Sequence, residues 1–309
     1  MPSGLADLTN SLICTFSLPK KGEDFVNSYE GKYLKALALA DGVGSAILAK
    51  EAARCAVESF IQQVEEIDRP DLQSDFKTIN GVWQKIGAHF REQFENYKKE
   101  NSNLSPENAF RTTLLTLVET KECYIFSYLG NGSLWVLRGD FGEFIAKSLE
   151  LEPNWPPRWP WSAVDIALVH SIPDVLNPNK EIGFSRGWEE VLYGYLGPNG
   201  CSIPPNIFQL SKDQVKGEVL LLCTDGLSSA DQRSEVLKDR AAWKIDEKML
   251  KLITALANWL REARNQSEDP RGSLQEEIDQ FFQAFQFDDD ASLGVLISEK
   301  VLEKYGLKT

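Results

Sequence analysis

Short apolar runs recur along the chain and end in residues that favour turns, a pattern typical of buried β-strands. The clearest runs cover 12–16, 34–40, 112–119, 123–129, 133–138, 191–196, 207–210, 219–224 and 291–297. Residues 24–26 and 33–40 predict a hairpin, and the two runs that meet at residues 120–122 predict another antiparallel pair. Antiparallel sheets are therefore expected to dominate the fold.

Longer stretches carry apolar residues at the period of an amphipathic helix. They cover 46–60, 76–99 and 246–264, and Ser45 stands where a side-chain N-cap would begin the first helix. A polar linker at 265–273 and a short helix to about Phe285 precede the last strand. Runs of strands with helices in separate blocks predict an α+β fold, a four-layer α-β-β-α sandwich of two antiparallel sheets flanked by helices.

The region from about 152 to 186 departs from this pattern because prolines and tryptophans crowd into it. They are Pro153, Trp155, Pro156, Pro157, Trp159, Pro160 and Trp161. Prolines lack the backbone donor that a helix or a central strand requires. We interpret the region as an inserted loop or flap, which either recognises peptide beside the reacting group or covers a small core.

Composition narrows the class of protein. A chain of 309 residues with 42% hydrophobic content predicts one domain over 1–309. No stretch approaches ~20 apolar residues and the N-terminus lacks a secretory pattern, so we expect a cytoplasmic protein that does not enter membranes. The net charge of -13 disfavours nucleic acid as a partner. The five cysteines are widely spaced and are expected to be reduced core residues.

Acidic residues mark the points where several predicted strands begin or end. Asp41 and Asp225 each close an apolar run, Asp289 precedes the last one, and Glu23 lies in a turn. A single Asp-Gly pair is usually only a turn. If these strands are neighbours, however, the carboxylates converge on one rim and repel each other unless a cation lies between them. Oxygen ligands of this kind select magnesium or manganese over zinc.

The order of the motifs strengthens this prediction. They are Glu-Asp at 23–24, Asp-Gly-Val-Gly at 41–44, Thr-Thr at 112–113, Gly-Asn-Gly-Ser at 130–133, Thr-Asp-Gly-Leu at 224–227 and Asp-Asp-Ala-Ser at 289–292. In this order they resemble the metal-dependent serine/threonine protein phosphatases of type 2C, in a bacterial-like form. The resemblance extends from about Lys20 to Ile297.

The resemblance implies a role for each site residue. The metal ligands would be Glu23, Asp24, Asp41, Gly42, Asp225 and Asp289, with Asp41 bridging two Mn²⁺ or Mg²⁺ ions and Asp24 lying behind the direct ligands. Within the acidic run 288–290 the ligand is uncertain by one position, and the pattern favours Asp289. Lys20, with Lys21 as the alternative, would hold the substrate phosphate. The implied reaction is hydrolysis of phosphoserine or phosphothreonine in proteins by a two-metal-activated water, in a monomer with a signalling role.

Several positions depart from the family pattern. Arg111 replaces a glycine and is expected to be a surface arginine, with contact to phosphate as the alternative. Asn131 replaces an aspartate associated with a third ion, so a third ion is expected to be weak or absent. Val43 stands where eukaryotic members have a histidine, which leaves water to protonate the leaving group. His89 and His170 are expected to be structural.

These departures leave other functions open. The chain could be a catalytically weak pseudophosphatase that binds phosphoprotein and regulates a partner. A purely structural ion ranks last, because a structural site seldom needs an open rim.

Overall fold

The computed structural model describes residues 10–69, 76–106, 109–139, 161–165, 171–173, 190–192, 194–212, 218–227, 247–263 and 269–307. The strands are β1 (Leu12–Leu18), β2 (Asp24–Glu30), β3 (Lys35–Asp41), β4 (Leu114–Glu119), β5 (Cys123–Leu129), β6 (Ser133–Gly139), β7 (Trp161–Asp165), β8 (Ser171–Pro173), β9 (Glu190–Leu192), β10 (Leu196–Gly197), β11 (Gly200–Cys201), β12 (Asn206–Ser211), β13 (Glu218–Cys223) and β14 (Ala291–Ile297). The helices are α1 (Ala49–Ile67), α2 (Phe76–Glu100), α3 (Glu247–Ala263), α4 (Pro270–Ala284) and α5 (Glu299–Lys304).

Two antiparallel sheets form the centre of the fold. Their strand orders are β1-β14-β13-β6-β7 and β12-β5-β4-β3-β2, and β10–β11 and β8–β9 form two small pairs. Helices α1 and α2 cover the sheet that contains β3, whereas α3 and α4 cover the sheet that contains β14. The predicted four-layer α-β-β-α sandwich is confirmed. No helix in the described ranges is both long and apolar enough to cross a membrane.

Strand β3 shows how the pattern of side chains builds the layers. Leu37 and Leu39 enter the layer between the two sheets, where they share a core with Leu222 of β13. The alternate residues of β3 are alanines and face α1, which presents alanines of its own. Small side chains on both surfaces let the helix pack close to the strand. The strand is therefore buried on both faces and ends at Asp41 with little freedom to move.

The start of α1 differs from the prediction. The helix begins at Ala49, its N-cap is Leu48, and no side chain caps it. Ser45 lies in the turn before the helix, so its assignment as the N-cap is wrong. The backbone N–H of Leu48 instead donates to the carbonyl of Ala109 at 2.7 Å, a long-range contact that the local sequence does not reveal.

Helix α2 agrees closely with the prediction. Its apolar stripe is buried against the sheet and consists of Ile79, Val82, Trp83, Ile86, Phe90 and Phe94. Helix α4 begins earlier than expected, at Pro270, because Asp269 accepts a hydrogen bond from the N–H of Gly272 at 3.0 Å and caps the first turn. The polar linker predicted over 265–273 is correspondingly shorter.

The proline- and tryptophan-rich region lies mostly outside the described residues. Within it, β7 extends one sheet at its edge, and β8 pairs with β9. Strands at the edge of a sheet tolerate proline, so edge strands such as β7 are compatible with the high proline content of this region. The interpretation of the rest as a loop or flap, and the role of His170, concern residues outside the described ranges and stay predictions.

Removing Leu222 should destabilise the protein strongly, because its side chain is fully buried between the sheets. Leu222→Ala is expected to lower the free energy of unfolding by about 2–5 kcal/mol in urea denaturation. Ile47→Ala serves as the control, since Ile47 is 66% exposed and its loss should change stability by less than about 0.5 kcal/mol. Equal effects of the two substitutions would contradict the layered core.

Candidate metal centre

The acidic residues meet at one end of the sandwich. Asp24 lies directly opposite Asp41 in the β2–β3 pair, while Asp225 follows β13 and Asp289 precedes β14, its neighbour in the other sheet. The hydroxyl of Thr224 donates to the Asp24 carboxylate at 2.8 Å and links the two sheets at this rim. The fold therefore brings Asp41, Asp225 and Asp289 to the same end of the sandwich.

The backbone of Asp41 is held by the Thr-Thr motif. The Asp41 N–H donates to the hydroxyl of Thr113 at 2.9 Å, and the Thr113 N–H donates to the Asp41 carbonyl at 2.8 Å. The hydroxyl of Thr112 donates to the same carbonyl at 2.9 Å. These contacts fix the strand end from which the Asp41 side chain enters the rim.

Gly42 is required by a close approach of the chain to itself. A Cβ at this position would lie 2.3 Å from the carbonyl oxygen of Ala49, so no other residue fits without moving the start of α1. The Gly42 N–H donates to the carbonyl of Glu23 at 3.0 Å. The Glu23 carboxylate in turn lies beside Gly44, where an added Cβ would be 3.5 Å from it.

Burial and mutual repulsion raise the pKa values of three carboxyl groups. For Asp41, burial is the largest cause and the charge of Asp225 the next, and together they hold its pKa well above the ordinary range. Burial, followed by the charge of Asp289, also raises the pKa of Asp225. Burial raises the pKa of Asp24 to about 7 despite hydrogen bonds from Thr224 and other groups. The rim thus disfavours the charged forms of these three carboxyl groups when no cation is present.

Two protein groups already bind carboxylates of this cluster. The Lys21 ammonium lies 2.9 Å from Asp289, and the Asn131 amide donates to Asp225 at 2.7 Å. Across the described ranges, no three Asp, Glu, His or Cys side chains converge closely enough to chelate an ion as they stand. The donors are nonetheless all oxygen atoms and carry uncompensated charge, which fits Mg²⁺ or Mn²⁺ once the side chains adjust.

The lysine at the acidic cluster is Lys21. Its hydrogen bond to Asp289 is the largest cause that raises the pKa of the Lys21 ammonium, which keeps this group charged. Lys20 contacts the cluster through its backbone N–H, which donates to Asp290. The Lys20 side chain forms no ion pair with the described residues, and its expected role in holding phosphate stays a prediction.

Sequence reasoning missed the role of Asp290, which organises the turn before β2. Its buried carboxylate accepts hydrogen bonds from five consecutive backbone N–H groups, those of Lys20, Lys21, Gly22, Glu23 and Asp24. Burial alone would raise the pKa of Asp290, but these donors outweigh it and lower the pKa below the ordinary value. In the sequence, the one local indication of this role is that Asp290 directly precedes the buried strand β14.

The acidic run 288–290 therefore divides into three environments. Asp288 is exposed, and Asp290 is buried against the turn at 20–24. Asp289 is partly exposed and lies close enough to Asp225 for its charge to raise the pKa of Asp225. This arrangement supports Asp289 as the metal ligand. His89 lies elsewhere, on α2, where its ring is within 3.4 Å of the Gln93 amide.

Comparison with known proteins agrees with this arrangement of motifs. Residues 22–148 match the family described as protein phosphatase 2C. This part of the chain is therefore similar to the type 2C protein phosphatases. The resemblance inferred from the motifs is confirmed, although no curated protein matches the sequence significantly.

Solved structures of bacterial serine/threonine phosphatases share the fold across most of the chain. The serine/threonine phosphatase Stp1 from Staphylococcus aureus has a TM-score of 0.60 at 14% identity, covering 94% of this chain and 96% of its own. The Mycobacterium tuberculosis serine/threonine phosphatase PstP/Ppp has a TM-score of 0.54 at 15% identity, covering 93% and 98%. The catalytic domain of PstP in complex with 2 manganese ions has a TM-score of 0.53 at 15% identity, covering 93% and 97%.

Asp41→Asn should stabilise the protein in the presence of a chelator, because it removes a buried and repelled charge. Because the pKa of Asp41 is raised in the folded wild type, its carboxyl group costs no stability below the ordinary carboxyl pKa. As pH rises from there through the folded-state pKa, the wild type loses stability, whereas Asp41→Asn does not. The gain should therefore be present at pH 7 and shrink towards pH 4. Thermal unfolding should show it as a rise of about 2–4 °C per kcal/mol.

Asp288→Asn is the matched control for this measurement, because Asp288 is exposed in the same acidic rim. It should leave the melting temperature unchanged. Added Mn²⁺ should stabilise the wild type and the control more than Asp41→Asn, reversing the order found in chelator. A loss of stability in Asp41→Asn without metal would contradict the repulsion at the rim.

Asp290→Ala should destabilise the protein by at least about 2 kcal/mol in urea denaturation, because the N–H groups of residues 20–24 lose their shared acceptor. Asp290→Asn is the control, since its amide oxygen still accepts part of these bonds, and its loss should be smaller. A change below about 0.5 kcal/mol in Asp290→Ala would show that the turn does not depend on this carboxylate.

Proposed function

We propose that this protein hydrolyses phosphoserine or phosphothreonine in phosphorylated proteins with the help of two Mn²⁺ or Mg²⁺ ions. The observation that carries the proposal is the convergence of Asp41, Asp225 and Asp289 at one rim of a type 2C fold. Charged groups are rarely gathered in this way unless a cation or a reaction uses them.

We assign the ligands as the resemblance implies. Burial, followed by the charges of Asp225 and Asp24, raises the pKa of Asp41, which supports a role for Asp41 near both groups. Glu23 and the Gly42 carbonyl would complete one ion, while Asp225 and Asp289 would hold the other. When bound, such ions supply an acidified water and positive charge for the phosphoryl oxygens.

The chain itself would orient the substrate and keep the ligands in place. Lys21 lies beside the cluster and offers a mobile positive charge for the substrate phosphate once Asp289 turns to an ion, and Lys20 is the alternative on the same turn. A lysine provides a point charge without a bidentate fork. Val43 offers no proton, so water would protonate the leaving group.

A third ion is expected to be weak or absent. The Asn131 amide donates a hydrogen bond to Asp225. One oxygen of the Asp225 carboxylate is therefore occupied by a neutral group. An amide can still coordinate a cation, but it attracts one less than a carboxylate does. The amide thus holds Asp225 in position without adding charge.

We also propose that the protein is a cytoplasmic monomer with a single domain over 1–309, which fits its composition. The net charge of -13 suits a protein substrate better than a nucleic acid. A signalling role would follow from removing phosphate from serine or threonine.

A pseudophosphatase that binds phosphoprotein is the second candidate. The observation that favours it is the pair of protein groups on the carboxylates, Lys21 on Asp289 and Asn131 on Asp225, which compete with metal for the same oxygens. Against it, each predicted ligand is present in the chain. The two candidates differ in whether added metal produces turnover.

Asp225→Asn should abolish hydrolysis of a phosphopeptide while leaving the fold intact, because it removes a charged ligand from the centre of the rim. The measurement is phosphate release from a phosphoserine peptide and from p-nitrophenyl phosphate in Mn²⁺, with circular dichroism to confirm folding. The rate constant should fall by at least about a hundredfold. Adding a chelator to the wild type should have the same effect.

Asp288→Asn is again the matched control and should keep full activity. Turnover retained by Asp225→Asn would exclude the proposed centre. A wild type that binds the phosphopeptide but releases no phosphate with either metal would instead support the pseudophosphatase.

A further inference from the structure

Arg111 lies beside the proposed centre, in the segment that leads into β4 next to Asp41. The N–H of Val43 donates to the Arg111 carbonyl at 3.1 Å, and two residues along the strand the Thr113 N–H donates to the Asp41 carbonyl at 2.8 Å. Arg111 thus stands opposite the residue that follows Gly42. Its backbone is one strand spacing from the rim.

The alternation of side chains places Arg111 on the same face as the acidic cluster. Leu115 and Leu117 of β4 lie between the sheets, whereas Leu114 lies on the helix side. Counting back by two from Leu115 gives Thr113 and then Arg111, so both belong to the face between the sheets. The same count along β3, through Leu37 and Leu39, leads to Asp41.

Tyr195 forms a platform for the Arg111 side chain. Leu196 pairs with Thr112 and packs on the helix side, so its neighbour Tyr195 belongs to the face of Arg111. The guanidinium carbon of Arg111 lies 4.7 Å from the centre of the Tyr195 ring. This distance is typical of a cation stacked on an aromatic face.

The stacked arginine keeps one guanidinium donor without a partner. Its Nε is buried and has no partner, and no described acidic side chain forms an ion pair with it. A guanidinium matches the oxygens of a carboxylate or a phosphate with two parallel donors. Stacking therefore holds the guanidinium at the rim with its Nε donor unused, and an oxyanion that draws the group forward would supply the missing bond.

Arg111 and Lys21 lie on opposite sides of Asp41. The turn that carries Lys21 leads into β2 on one side of β3, while Arg111 precedes β4 on the other. Lys21 contacts the acidic cluster itself, whereas Arg111 contacts Tyr195. The reacting phosphate belongs with the cluster and Lys21, which leaves Arg111 for a different group of the substrate.

We propose that Arg111, supported by Tyr195, binds an oxyanion of the substrate other than the phosphate that is removed. The group is a carboxylate or a second phosphate on a residue near the phosphorylated one, so the protein prefers acidic or multiply phosphorylated sites. This inference rests on the proposed function, because it assumes that a phosphorylated peptide occupies the rim.

The test measures binding separately from turnover. Three peptides carry a hydrolysis-resistant phosphonate analogue of phosphoserine, with alanine, aspartate or a second copy of the same analogue two residues away on each side, and the last is called the phosphoserine peptide. Fluorescence anisotropy in Mn²⁺ should show the wild type binding the aspartate and phosphoserine peptides roughly tenfold more tightly than the alanine peptide. Arg111→Gln should remove this preference and leave the affinity for the alanine peptide unchanged. If only the phosphoserine peptide is preferred, the oxyanion is a second phosphate.

Arg91→Gln is the matched control. The Arg91 side chain donates to the carbonyl of Pro198 at 3.2 Å and contacts the same loop from α2, away from the proposed centre. This variant should keep the preference, and Tyr195→Leu should reduce it.

An identical preference in the wild type and Arg111→Gln would overturn the inference. An equal loss of affinity for all three peptides would also overturn it, because Arg111 would then serve the reacting phosphate or the fold. Absence of phosphate release from ordinary phosphopeptides would defeat the proposed function alone, since the binding preference is measured without hydrolysis.

Discussion

Repulsion among buried carboxylates is the constraint on which the account of this protein depends. The sandwich brings Asp24, Asp41, Asp225 and Asp289 to one rim, where burial and neighbouring charge raise the pKa values of the first three. Such a cluster does not stabilise the folded state by itself, because burying a charged carboxylate without a partner costs free energy. In the proposed centre, divalent cations would relieve that cost and at the same time provide the chemistry of phosphate-ester hydrolysis.

The rest of the architecture holds this unfavourable group in place. The Thr112-Thr113 motif fixes the end of β3, and the Asp290 carboxylate gathers the turn at 20–24 against the start of β14. Both contacts join segments that are distant in sequence. The positions of Asp41 and Glu23 therefore depend on the complete sandwich. The leucine core between the sheets stabilises the protein and also keeps these two residues in place.

Much of the fold could be predicted because burial leaves a local pattern. The runs at 34–40 and 219–224, and the helical stripe at 76–99, report which faces meet the core, and Asp41 and Asp225 are recognisable as strand ends. Contacts between distant segments leave no such pattern. For this reason Ser45 was wrongly predicted as a cap, and the role of Asp290 was missed.

The most direct test is anomalous diffraction from crystals of this protein grown in excess Mn²⁺. The account predicts two manganese peaks at the rim roughly 3.5–4 Å apart, with Asp41 between them and the Lys21 ammonium displaced from Asp289. Crystals that show no manganese peak at the rim, with Lys21 still paired to Asp289, would contradict the central claim that these carboxylates are gathered for paired cations.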